Sequence, residues 1–173
     1  MLVLRFIIFI YFFMGICSCS DRNISNDDID KFISKYQDKT FSNFIGVSIT
    51  FRDTDFGNDI YMVAKQGGKY PPYIIHFNKR KKEITSISNI LLKQGNFHNY
   101  FDESKIKDLM QRFIDFDVKN LSVDSIGNVF ISPFYGEHSP NLLRLNAITN
   151  ERVVKKGYVY ELYKGNWYVN NSK

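Results

Sequence analysis

The chain has 173 residues, with 23 Lys and Arg against 18 Asp and Glu, 44% hydrophobic and 16% aromatic residues, and two cysteines. This supplies the core of one domain of ordinary size and excludes a scaffold that depends on disulfides. The net charge of +5 is modest and spread along the chain, so no nucleic-acid partner is expected.

Residues 1–16 read as a targeting segment. Arg5 supplies the positive start, and the apolar run from Phe6 to Ile16 has the length of a signal-peptide core and is short for a membrane span. With Leu2 to Leu4 included, the run just reaches across a bilayer, so an uncleaved anchor is the alternative. The run ends in Ile16-Cys17-Ser18-Cys19, which resembles the lipobox of bacterial lipoproteins: an aliphatic residue, then a small residue directly before the acylated cysteine. Small Ser18 precedes Cys19, whereas bulky Ile16 precedes Cys17, so Cys19 is the candidate lipidation site. Cys17 stands where alanine or serine is commoner. The resemblance covers only the leader. It implies removal of residues 1–18, a lipid anchor on Cys19 in the membrane, and residence in the bacterial cell envelope. Ser20 in the second mature position points to the outer membrane. No thiol would remain to pair, so residues 26–173 must hold together by burial, behind a polar tether over residues 19–25.

The first helix is expected where Ile29, Phe32, Ile33 and Tyr36 recur at helical spacing. Ser25 or Asn26 is its N-cap, and Asp27, Asp28 and Asp30 complement its positive end better than they make a metal cluster. Phe44 to Phe51 alternates as a strand, and the acidic link Asp53–Asp59 leads to a second strand, Ile60–Ala64. That link starts like a calcium loop, but Gly57 and Ala64 occupy positions where ligands belong, so it reads as a hairpin. Gly67-Gly68 and Pro71-Pro72 mark a turn before Tyr73–Phe77. The basic run Lys79–Lys82 marks another before Glu83–Ser88. His76 reads as a half-buried or surface histidine. The stretch from Asn89 to Tyr100 is too irregular to type.

Asp102 caps the clearest helix, whose stripe is Ile106, Leu109, Met110 and Phe113. Strands follow at Leu121–Val123, Val129–Ile131 and Leu142–Leu145, then a longer link over Asn146–Lys156 and a terminal hairpin of Gly157–Tyr163 with Trp167–Val169. The fold class expected is α+β: an antiparallel sheet of about eight strands, either continuous or built as two α-β4 units, with two main helices packed on one face.

The segment from Pro133 to Pro140 has the composition of a site, with Tyr135, Glu137 and His138 between two prolines, although an exposed connection has the same composition. Tyr160 and Trp167 on the terminal hairpin are the other candidate binding residues, weighed against a packing role. No G-x-S-x-G, H-E-x-x-H or cysteine nucleophile occurs, and the three histidines lie far apart. The expectation is a non-enzymatic, protein-binding or inhibitor-like envelope lipoprotein, without metal or cofactor. A structural lipoprotein of an envelope complex is the alternative, and a carboxylate-based hydrolase comes last.

Overall fold

The structure, a computed structural model, describes residues 24–134, 141–147, 149, 152–155 and 157–170. The leader, the tether up to Asn23 and Cys19 therefore lie outside the described residues.

Ten strands form one sheet: β1 (Val47–Asp55), β2 (Asn58–Lys65), β3 (Tyr73–Asn78), β4 (Glu83–Ser88), β5 (Asn120–Val123), β6 (Val129–Ser132), β7 (Asn141–Arg144), β8 (Val153–Lys155), β9 (Tyr158–Lys164) and β10 (Trp167–Asn170). Their order is β4-β3-β2-β1-β5-β6-β7-β10-β9-β8, and every named pair is antiparallel. Among the described residues, three short α-helices accompany them: α1 (Asn26–Tyr36), α2 (Ile90–Gln94) and α3 (Glu103–Ile114).

This corrects the expected fold class. The sheet has ten strands rather than about eight, three short helices rather than two main ones, and no division into two α-β4 units. Ser48–Thr50 of β1 pairs with Asn120–Ser122 of β5, so the two halves share one ladder. β8 forms inside the stretch expected as a link, where three half-exposed or exposed residues show no alternation to read. The first strand also starts later than expected. Phe44 belongs to a 3-10 turn, and Gly46 at φ 75° redirects the backbone into β1, a left-handed conformation that glycine adopts without a Cβ penalty.

The helices form where local chemistry dictates. Ser25 caps α1 in a reciprocal box: its hydroxyl accepts from the Asp28 N–H at 3.3 Å, and its own N–H donates to the Asp28 carboxylate at 3.1 Å. Asp102 accepts from the Lys105 N–H at 2.7 Å and starts α3. Ile29, Ile33 and Tyr36 of α1 and Ile106, Leu109, Met110 and Phe113 of α3 are buried in the larger core. That core also takes one row of each central strand, for example Val47 and Ile49, Tyr61 and Val63, Tyr73 and Ile75.

The opposite side of the sheet carries a smaller core of Phe130, Leu143, Leu145, Tyr160 and Tyr168. There the Tyr168 hydroxyl accepts from the Thr149 N–H at 2.9 Å and also bonds the Thr149 carbonyl. β5, β6, β7 and β10 are thus covered on both faces, which explains their near-continuous apolar runs.

β1 runs on through the expected acidic link and turns at Phe56-Gly57, with φ of 45° and 79°, the two left-handed positions of a tight hairpin. Phe56 stands out at the tip, 97% exposed. Strand alternation places Asp59 in the inward row with Tyr61 and Val63. Its buried carboxylate accepts from Thr54 Oγ1 (3.1 Å), Tyr61 OH (3.0 Å) and Lys79 Nζ (2.8 Å). A buried charge needs such donors, and these tie the β1–β2 turn to the basic β3–β4 turn. That accounts for one of the four basic residues there; Lys81 pairs with Glu83 at 3.6 Å.

Candidate functional site

The residues singled out in the sequence do not converge. Tyr135, Glu137 and His138 lie outside the described residues. Trp167 and Tyr160 are 2% and 3% exposed. This corrects their reading as a recognition surface: Trp167 packs edge-on to Phe32 at 6.2 Å in the larger core, and Tyr160 fills the smaller one. The reason is geometric. Adjacent strand residues point to opposite faces, and here both faces of β10 are covered, so Trp167 and Tyr168 are both inside. The Trp167 indole N–H finds no acceptor among the described residues. His76 is half-buried opposite Ile60 and Ser86, and His98 is exposed. Among the described residues, no group of three or more His, Cys, Asp and Glu side chains is arranged to hold a metal ion.

A concave site does form at one end of the sheet, around a residue that sequence reasoning passed over. Arg144 ends β7, directly opposite Trp167 of β10 and Val129 of β6. Its guanidinium lies 5.7 Å from the ring centroids of both Phe41 and Trp167. Nη1 donates to the Lys39 carbonyl at 2.8 Å. Arg144 makes no ion pair among the described residues. It opens into a cleft of about 400 Å³ between the Asp38–Ser42 segment, the β5–β6 turn, the end of β7 and the β9–β10 turn.

The walls are held by interlocking amides. Asn128 accepts from the Asn146 N–H at 3.0 Å and donates to Asp124 at 2.9 Å; Asn146 donates to the Ile126 carbonyl at 3.0 Å. Across the cleft, Asn166 donates to the Leu145 carbonyl at 2.7 Å, and the Leu145 N–H returns a bond to the Asn166 carbonyl at 2.9 Å. On the rim, Ile45 and Ile126 are 50% and 65% exposed. Loops normally show polar side chains, so two exposed isoleucines in the same cleft as a fixed cation describe a surface suited to contact.

No family model, curated protein or solved structure matches this chain. Among the described residues, no helix is long and apolar enough to cross a membrane.

Proposed function

We propose that this chain is a lipid-anchored protein of the bacterial cell envelope, on the outer membrane, whose folded domain binds another protein without turning over a substrate. The anchor rests on Ile16-Cys17-Ser18-Cys19. The binding role rests on the Arg144 cleft: a cation held by two aromatic rings and a backbone carbonyl, framed by bonded amides and rimmed by exposed isoleucines. Interface anchors are often arginines beside aromatics, in pockets whose surroundings exclude water. Rigid placement favours affinity, because little side-chain freedom is lost on docking.

Two measurements test this reading. Cys19→Ala should abolish labelling by a fatty-acid probe and release the chain from membranes, while Cys17→Ala leaves both intact; labelling that survives Cys19→Ala would revive the uncleaved anchor. Crosslinking in cells, followed by titration of the purified chain against the protein recovered, should give saturable binding. Turnover of an envelope substrate, lost in Glu137→Gln without unfolding, would refute a non-enzymatic role.

A further inference from the structure

We infer that the Arg144 cleft recognises a carboxylate presented by a peptide segment of the partner, with apolar residues beside it. This rests on the binding reading above and adds the chemistry of the ligand. One Nη1 hydrogen bond orients the guanidinium toward the Lys39 carbonyl, and two rings lie 5.7 Å from it. A guanidinium carries five N–H donors in a fork that matches a carboxylate. No described carboxylate takes the remaining ones as an ion pair: Asp38 lines the cleft but lies beyond salt-bridge distance.

Charge selects among anions. The lining holds Arg144 and Lys39 against Asp38, an excess of one positive charge, which a monoanion neutralises. A phosphate would bring close to two charges at neutral pH and face Asp38 with them. Shape selects among carboxylates. The exposed isoleucines of the lining, Ile45 and Ile126, give no purchase to a small free acid but suit apolar side chains beside an acidic residue. Thr40 and Ser42, hydrogen-bonded to each other at 3.1 Å, supply further polar lining for the backbone of such a segment.

Trp167 is the sole tryptophan and lies against the guanidinium, so its fluorescence reports on the site. The full chain is titrated with three short peptides. One has a central Glu between isoleucines and blocked termini, the second is its Gln analogue, and the third is apolar with a free C-terminal carboxylate. Saturable change with the Glu peptide, about tenfold weaker with Gln, is expected from loss of a charge-assisted pair. Binding of the third peptide instead would assign the site to a chain terminus. Arg144→Lys keeps the charge and loses the fork, and should weaken the acidic peptide about tenfold. Ile126→Asp, on the exposed rim, leaves the Arg144 contacts alone and should also weaken it, so the assignment stays testable if Arg144 variants fail to fold.

Equal affinity for the Glu and Gln peptides overturns the inference. So does displacement by inorganic phosphate at the same concentration, or the absence of saturable change with either carboxylate peptide. A crosslinked partner whose affinity is unchanged by both Arg144→Lys and Ile126→Asp would leave the binding role standing and remove this site from it.

Discussion

Truncation of Phe113 tests how α3 is held to the sheet. Phe113 is buried in the last turn of the helix, with its ring edge-on to Tyr61 at 5.6 Å and 76°. Tyr61 also meets Phe51 at 5.8 Å and Phe77 at 6.5 Å, so the ring it offers Phe113 is itself held between β1 and β3. Phe→Ala in a core costs about 3–5 kcal/mol, depending on how far the surroundings collapse into the space. Here its ring partner Tyr61 is fixed on a strand paired on both sides and held by two further rings, so little collapse is available and the upper part of that range applies. Phe113→Leu keeps most of the volume and forfeits mainly the ring pairing, about 0.5–1.5 kcal/mol. Against a typical stability of roughly 5–15 kcal/mol, the alanine variant should be severely weakened. The assay is urea unfolding at constant slope. Lys107→Ala is the control: Lys107 is exposed and pairs with Glu103 one turn away, at 2.6 Å, so about 0.5 kcal/mol or less is expected. If Phe113→Ala costs less than about 1 kcal/mol, α3 does not cover these strands and the core as described is wrong.

Two further outcomes follow from the backbone and from titration. Phe56 holds a left-handed conformation at the β1–β2 tip while burying almost nothing, so Phe56→Asn should raise stability by about 1 kcal/mol, because asparagine adopts that conformation readily; an unchanged or lower unfolding midpoint would refute the turn geometry. Burial, with Tyr158 nearby, pushes the Tyr160 hydroxyl up to about 12, and burial, with Tyr73 nearby, does the same for Tyr100. The neutral phenol is favoured in the folded state, so this stability is fully present below the ordinary value of 10.0 and is lost as pH rises through about 12. Phenolate absorbance should therefore show late-titrating tyrosines that merge with the rest in urea. A single titration near 10.0 with the fold intact would contradict their burial.

Local patterns were legible and long-range ones were not. The stripes of α1 and α3, their caps at Ser25 and Asp102, and the turn over the basic run are each set within a few residues, and the sequence shows them directly. The β1–β5 seam joins segments about seventy residues apart, and no periodicity encodes a partner at that distance. Trp167 misled for a related reason. Alternation says that neighbouring residues face opposite ways; it does not say that both ways lead indoors. The signal for Arg144 was present in Leu142-Leu143-Arg144-Leu145, a charge inside an apolar run expected as a strand. Its surroundings were hidden because they are built by α1, by Phe41 and by the strands on either side, none of which is near it in sequence.

The same covering explains why a strand end is a strong place for a recognition group. An arginine on a free loop loses roughly 0.5–1.5 kcal/mol of side-chain freedom when it docks. Arg144 has given up much of that freedom on folding. Its strand is paired on both sides, with Trp167 and Val129 as its direct cross-strand neighbours. On the inner face it shares the row of Leu142, and Phe41 closes over it from the segment after α1. The stem is thereby packed and the head is delivered to the mouth of the cleft, already turned by the Lys39 carbonyl. The consequence separates affinity from stability. Arg144→Met would keep a flexible apolar stem against Phe41 and Trp167, so the urea midpoint should shift little, by about 1 kcal/mol or less. Binding of the acidic peptide should be lost altogether. A variant that unfolds and loses binding together would show that the cation serves the core, and that its position at the cleft is a by-product of packing.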